Sequence, residues 1–327
     1  MKNHTRGKTS SVAEKIVVGI LCVILIVYSL SIISTLFWGL ISSLKSNYDF
    51  GHNILGLPVL NNPEWKKGTN DYRSSYKYLV HLENYKIVMR NFKCDMTVSY
   101  FIGNKSRTVT SSDGFMKMLF NSVLYSFGNG FVQAIFPAIM AYMCAKYPYK
   151  FSKGIYVTVL VVMTLPIVGA YPSELTLLRN LGLYNTWYGN FIQRCSFLGM
   201  YFLVFYEFFK GLPDTYSEAA EIDGASQFVV MFNIYMPLAV KMIGSVFLIR
   251  FIFFWNDFAS IEMYMPTHPT LAYFIYRMKA NAVTATKSAT DPQKIAACMI
   301  LAVPILTAFL ILHNKLIGSM TLGGIKG

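Results

Sequence analysis

The chain has 327 residues, of which 54% are hydrophobic, 16% aromatic and only 14% charged, against about 25% charged residues in an ordinary soluble domain. The apolar residues cluster into bilayer-length runs, which points away from a soluble domain and toward a polytopic membrane protein. The formal net charge of +13 does not indicate nucleic acid, because the lysines and arginines gather in short loops between apolar spans, where they set topology and meet anionic lipid heads.

In chain order, residues 1–15 are a basic tail, with Lys2, Arg6, Lys8 and Lys15 against Glu14. Its Gly7-Lys8-Thr9 looks like the end of a phosphate-binding loop, but the required earlier glycine is replaced by Lys2 and no strand precedes it. From Ile16 to Leu44 there is no charge, which at 1.5 Å per residue more than spans a core of about 30 Å. The run is about twice the length of a signal-peptide core and no small-residue cleavage site closes it, so residues 16–44 are expected as a retained first transmembrane helix.

Residues 45–115 are a long polar interruption with Asn61, Pro63, Lys66-Lys67-Gly68 and mixed charges. Trp65, Tyr72, Tyr76, Tyr78, Tyr85 and Phe92 make it too aromatic for a disordered linker, so a small folded extracytoplasmic cap is expected. Within it, Leu79, Leu82, Ile87 and Met89 have helical spacing over 79–91. Further spans are expected at about 116–145, 154–173, 190–210, 238–258 and 295–313, giving six in all. The loop 146–153 carries Lys146, Lys150 and Lys153 with no acid, so it and the N-terminal tail are expected to be cytoplasmic, and six spans place the C-terminus there too. Against this stand Arg277, Lys279, Lys287 and Lys294 in the last outer loop. No internal repeat is present.

The five cysteines, Cys22, Cys94, Cys144, Cys195 and Cys298, are odd in number and lack metal spacing, so they read as small hydrophobes rather than a disulfide framework. The histidines His4, His52, His81, His268 and His313 are scattered, and His313 near Lys315 reads as an interfacial anchor. No catalytic motif and no metal site is expected.

The informative stretch lies between the fourth and fifth spans, from Leu212-Pro213-Asp214 through Ser217-Glu218-Ala219-Ala220-Glu221-Ile222-Asp223-Gly224-Ala225. Pro213 suits a first helical turn, Ser217 is a candidate cap, and Asp214, Glu218 and Glu221 favour the positive end of a helix. The alanines offer a small face that another protein can approach, Gly224 permits a sharp bend, and Phe228, Val229 and Val230 open the next apolar segment. An ordinary interfacial amphipathic helix has the same physics.

Two further candidates sit in the fifth span. Arg250 lies nine residues past Lys241, about 13 Å along a helix, where a charge needs a partner or a water-filled cavity. It reads either as a contact to substrate or as a structural ion pair, with Asp257, Glu262, a partner acid or an acidic glycan as counter-ion. Trp255, Asn256 and Asp257 combine an aromatic face with hydrogen-bonding groups, as a sugar site would, and equally suit an interfacial belt with a helix terminator.

The stretch Glu218-Ala219-Ala220, Gly224, Ile234, Met236 and Pro237 resembles the EAA loop of bacterial ATP-binding cassette importer permeases, with every spacing matched and Met236 standing where the pattern has leucine. Asn121-Ser122, Ala141-Tyr142, Leu165-Pro166, Leu181 to Thr186, Trp255 to Phe258, Pro304 and the tail from Gly318 to Gly327 are similar to the carbohydrate branch, the smaller permease of the maltose system included. The resemblance implies an all-α, six-span permease of the type I importer fold. Its parts are a tail 1–15, a first helix 16–44, an extracytoplasmic insertion 45–115 and a core 116–327 that contains the coupling loop 212–237. It implies that Glu218, Ala219, Ala220, Glu221, Asp223 and Gly224 dock on an ATPase. Expected partners are a second homologous permease, two ATPase subunits, an extracytoplasmic solute-binding protein and membrane lipid. ATP and Mg belong to the ATPase, so this chain is expected to be no enzyme and to bind no cofactor. The expected place is a bacterial cell membrane. The expected solute is an oligosaccharide or related glycan, with a phosphorylated polyol or a peptide as the alternative and a membrane anchor or sensor as the rival outside transport.

Overall fold

The structure is a computed structural model that describes residues 12–58, 80–102, 105–147, 149–165, 169–279 and 289–320. Gly7-Lys8-Thr9, the aromatic stretch from Trp65 to Tyr78, Leu79, Pro166 and the last seven residues lie outside the described residues. The chain divides into two compact units, residues 1–86 with 290–299, and residues 87–289 with 300–327. The division falls inside the expected cap.

In the first unit, α1 (Val12–Ser43) carries the charge-free run. Its hydroxyls return to the helix: Ser29 donates to the Leu25 carbonyl at 2.8 Å, Ser31 to Tyr28 at 2.7 Å and Thr35 to Ser31 at 2.9 Å. Such bonds satisfy groups for which hydrocarbon offers no partner. The chain then turns through α2 (Asn47–His52), where the Ser46 hydroxyl accepts from the Asp49 N–H at 3.0 Å. Lys45 is fully buried and donates to the carbonyls of Asn53 and Ile54. Asn84 donates to the carbonyls of Ser43 and Lys45 at 2.8 and 3.0 Å.

That asparagine corrects one expectation. The helix α3 (Glu83–Asn91) starts later than the pattern over 79–91 suggests, and Leu82 and Met89 are exposed, whereas Asn84 and Val88 are buried. A polar residue bonded to the carbonyls at the end of α1 sets the inner face, and apolar periodicity passes over it.

The second unit opens with an antiparallel hairpin, β1 (Lys93–Ile102) and β2 (Lys105–Gly114), in register from Lys93 opposite Gly114 to Ile102 opposite Lys105. Cys94, Met96 and Tyr100 are buried on alternate positions, the period-two pattern of a half-buried strand. Burial pushes the Cys94 thiol up to about 11, so it stays an unreactive core group. Cys144 is buried too, but Cys22, Cys195 and Cys298 are exposed, and all five are free. The fold is thus helical with one hairpin added.

The helices that follow are α4 (Phe115–Lys146), α5 (Lys150–Thr164), α6 (Ala170–Asn180), α7 (Trp187–Arg194), α8 (Met200–Lys210) and α9 (Thr215–Ile222). After them come α10 (Gln227–Trp255), α11 (Ala259–Tyr264) and α12 (Leu271–Lys279). The last, α13 (Asp291–Met320), runs from the first unit into the second. Among the described residues α1, α4, α10 and α13 contain stretches long and apolar enough to cross a membrane. The expected third and fourth spans are shorter pieces. After α5, Leu165 is extended at ψ 126°, because the residue before a proline is pushed out of the helical region. Between α7 and α8 the chain leaves the helix at Cys195 and re-enters after Gly199, which is extended.

The expected span 238–258 begins earlier, at Gln227, and includes a π turn at Met231–Tyr235. Pro237 follows directly. A proline ring clashes with the carbonyl four residues back, here Asn233, and the wider π turn makes room for it.

The core of this unit is the pair α4 and α10. Tyr125 meets Asp257, Gly130 meets Phe251 and Lys146 meets Tyr235, so the helices run antiparallel. Gly130 packs so closely that a Cβ there would lie 3.2 Å from the Phe251 backbone nitrogen. Ala134, Ala138 and Ala141 continue the small face, and Phe202, Phe205 and Phe209 of α8 fill it together with Val230, Tyr235 and Ala239 of α10. Small residues permit the close approach that drives helix association in lipid. On the polar side, the Ser122 hydroxyl accepts from the Leu271 N–H at 2.8 Å and Asn121 donates to the Pro269 carbonyl at 3.0 Å, which ties α12 to α4.

Gly130→Val forces α4 and α10 apart and should destabilise the protein by about 1–3 kcal/mol, the usual range for overpacking. Gly154→Val, at a site with nothing within 4 Å of the added Cβ, should not. Thermal unfolding of the two variants in detergent, followed by size-exclusion chromatography, checks this; equal melting would show that the close approach has no energetic consequence.

Candidate functional site

The EAA-like stretch forms a protruding knob. Helix α9 starts after Asp214, and Ser217 lies inside it, donating to the Asp214 carbonyl at 2.7 Å rather than capping. Asp214 spends its carboxylate elsewhere: Lys146 donates to it at 2.7 Å and to the Leu212 carbonyl at 2.6 Å, with its ammonium 5.0 Å from the centre of the Tyr235 ring. The Lys146 side chain is 7% exposed. The Tyr235 hydroxyl lies 3.3 Å from the Pro213 carbonyl. Lys146 is thus an anchor that joins the end of α4 to the entry of the knob.

The exit is closed by a left-handed glycine. Gly224 has φ +81°; its N–H bonds to the Glu221 carbonyl at 3.0 Å and the Ala225 N–H to the Ala220 carbonyl at 2.9 Å. This pair of bonds is the Schellman termination, in which a residue without Cβ is strongly preferred. Gln227 then reaches back to Glu221 at 2.6 Å and accepts from Tyr147.

Glu218, Ala219, Glu221, Asp223 and Gly224 are exposed, as are Ile222 at 87% and Phe228 at 74%. Ala220 is not part of that face. It is half-buried against the core cluster, because neighbouring residues on a helix point about 100° apart. The small outward surface is therefore Ala219 with Gly224, flanked by three acids and two apolar side chains.

The candidates in α10 separate. Trp255 is buried and donates its Nε1–H to the Leu301 carbonyl at 2.9 Å, which makes it a packing residue. Asn256 is exposed, bonds to the Ile252 carbonyl, and lines a cavity of about 630 Å³ with Phe258, Tyr276 and Lys279. Phe258 and Tyr276 stack at 4.3 Å. Asp257 accepts from the Tyr125 hydroxyl at 2.9 Å and from the Ser260 N–H at 3.0 Å, so its carboxylate fixes the start of α11. Arg250 is five residues from the end of α10, about 8 Å, and so lies closer to that terminus than to the helix centre. It packs on Phe253 and Phe254 and lines a second cavity of about 320 Å³.

Sequence reasoning passed over Lys146, read as a topology signal, and Arg194, read as a weak point in a span. Neither carries a local motif; each is defined by partners 66 or more residues away.

This fold has known relatives. It superposes on a bacterial ABC transporter involved in the import of the acidic polysaccharide alginate, with a TM-score of 0.67 over 94% of this chain and 99% of that one, at 16% identity. The chain is 27% identical over 210 residues to the diacetylchitobiose uptake system permease protein NgcG of Streptomyces coelicolor, covering 63% of this chain and 68% of NgcG. It is 24% identical over 226 residues to the trehalose transport system permease protein SugB of Mycobacterium tuberculosis, covering 68% and 81%. Residues 133–320 match the family described as the inner membrane component of binding-protein-dependent transport systems, and the chain belongs to that family.

Proposed function

We propose that the chain is the permease subunit of an ATP-driven importer of a glycan, coupled to separate ATPase subunits through α9. The observation that carries this reading is the knob: an exposed helix with three acids and a small outward face, closed by Gly224 and anchored at both ends to α4 and α10. Its exposed residues Glu218, Ala219, Glu221, Asp223 and Gly224 are among those that the EAA resemblance assigns to the ATPase contact, while Ala220 packs inward. That the similar permeases NgcG and SugB are named for diacetylchitobiose and trehalose supports a carbohydrate as the solute.

In this reading the chain pairs with a second, homologous permease. Two ATPase subunits bind ATP and Mg, and an extracytoplasmic binding protein delivers solute. ATP binding closes the ATPase pair and moves the two knobs together. Each knob passes that movement into α4 through Lys146 and into α10 through Gln227, and the cavity opens outward. The knob, Lys150 and the N-terminal tail face the cytoplasm, and the hairpin faces outward.

Gly224→Val and Glu218→Lys should leave the permease in the membrane and abolish ATP hydrolysis stimulated by loaded binding protein. Valine is strained at positive φ, and lysine reverses a contact charge. Lys146→Met, which removes two charge-assisted bonds, should lower that stimulated turnover about tenfold or more, since each such bond contributes about 1.5–3 kcal/mol. Turnover of the reconstituted complex is the measurement, and normal stimulation in all three variants would remove the knob from coupling.

Orientation is checked by impermeant thiol reagents on intact cells, with labelling read at the introduced residue. Thr97→Cys, on an exposed position of β1, should label; Lys150→Cys should label only after lysis. Labelling of Lys150→Cys in intact cells would invert the topology.

A further inference from the structure

Two arginines of the second unit share one ring; Arg250 has the Tyr201 side chain as a hydrogen-bond partner and feels the Asp257 carboxylate through space rather than as an ion pair. The guanidinium of Arg250 lies 5.1 Å from the centre of the Phe254 ring and that of Arg194 lies 5.3 Å from it. Phe253 and Tyr201 complete an aromatic surround for Arg250 at 4.7 and 5.8 Å. Among the described residues neither arginine forms an ion pair, and the Nε of each is buried without a hydrogen-bond partner. The acid expected as a partner, Asp257, has its carboxylate bonded to the Tyr125 hydroxyl and the Ser260 N–H. Arg194 makes one bond, to the Ser260 hydroxyl at 2.9 Å.

Aromatic rings answer only part of what a guanidinium needs. They attract its flat faces, by about 0.5–2 kcal/mol, but its five N–H donors lie in the plane of the group and ask for acceptors at its edge. A site that must only bury a cation needs one ring cage and one arginine. Here a second cation, Arg194, shares the Phe254 ring, and its field opposes that of Arg250 while Asp257 offsets it only through space, so a further anion at the edge of Arg250 is favoured. Arg250 also lines the cavity of about 320 Å³, with Gln133, Ser196, Gly199 and Tyr201. That volume is at the lower end for ligand pockets, and Gln133 and Ser196 add neutral donors. Met200 and Tyr201, at the positive end of the 11-residue helix α8, line it as well.

We infer that this cavity is an oxyanion subsite for the transported solute, taking a carboxylate or sulfate group of an acidic glycan on the edge of Arg250, with Arg194 supplying additional positive field. The inference rests on the importer reading and names the charge of its solute. Arg250 is the direct ligand, because its planar fork binds a carboxylate in bidentate fashion. Arg194, held by Ser260, acts through the field and not by contact.

The test uses the assembled importer in phosphatidylcholine nanodiscs, with Leu198→Cys in the cavity lining, which leaves Arg250 in place, and labelling read by mass spectrometry at that residue. An anionic methanethiosulfonate should react at least tenfold faster than a cationic one, each normalised to a free thiol, and adding Arg250→Gln should collapse that preference. A trimer of galacturonate should slow the labelling, while the same trimer with its carboxyls reduced should not. No reaction with either reagent, a cationic preference, or equal protection by both trimers would each overturn the proposal. Protection by phosphatidylglycerol but not by the uronate trimer would assign the site to a lipid phosphate and overturn it as well. A second arm compares uptake by Arg250→Lys, which keeps the charge and loses the fork: uptake of the uronate trimer should fall about tenfold and that of the reduced trimer less than twofold, and equal loss would mark a structural cation. Labelling needs no transport. Failure of ATP-stimulated uptake with anion-selective labelling intact would therefore count against the importer reading alone.

Discussion

The close approach of α4 and α10 at Gly130 and Phe251 organises the second unit. With no Cβ on one side, the two backbones nearly touch, and the antiparallel register that follows is fixed along more than 20 residues of each helix. That register brings Lys146 beside Tyr235 and the entry of the knob at one end, and Tyr125 beside Asp257 at the other. The knob and the polar cluster at Asp257 are thus opposite ends of one packed pair, a geometry in which a displacement of the knob would enter the elements that carry Arg250.

The polar groups of the spans obey the same constraint as the backbone. In hydrocarbon an unbonded donor or acceptor is expensive, and the chain answers locally where it can. The hydroxyls of α1 bond to carbonyls one turn back, Trp255 donates to a carbonyl of α13, and Asp257 accepts from Tyr125 and Ser260. Arg194 and Arg250 are among the exceptions: their Nε atoms, like those of Arg179 and Arg277, are buried without a hydrogen-bond partner. What sets Arg250 apart among these is that it lines a cavity with Gln133 and Ser196.

Much of this protein was legible in the linear order of residues. Apolar runs of bilayer length specify long helices because a bilayer admits little else, so α1, α4, α10 and α13 follow from length and hydropathy. The left-handed turn at Gly224 follows from local chemistry, since only a residue without Cβ takes that conformation cheaply after a helix. The hairpin was not legible in this way, since the sequence reads as all-α: the alternation of Cys94, Met96 and Tyr100 covers only a few buried positions of one strand.

Tertiary structure decided what depends on partners distant in sequence. Apolar spacing could not show that Asn84 faces inward in α3, because its bonds run to residues about 40 positions away. Composition marked 154–173 and 190–210 as apolar but could not reveal that the chain breaks within them, and in the second case the break forms one wall of a cavity. Trp255, Asn256 and Asp257 are adjacent in sequence and divide among core, surface and helix cap, because successive side chains at a helix end diverge. The grouping of Arg194 with Arg250 joins residues 56 positions apart over a single ring. Local order dictates backbone conformation through steric and solvation rules that act within a few residues, whereas a site requires charges from separate helices to share one low-dielectric space, and only packing brings them there.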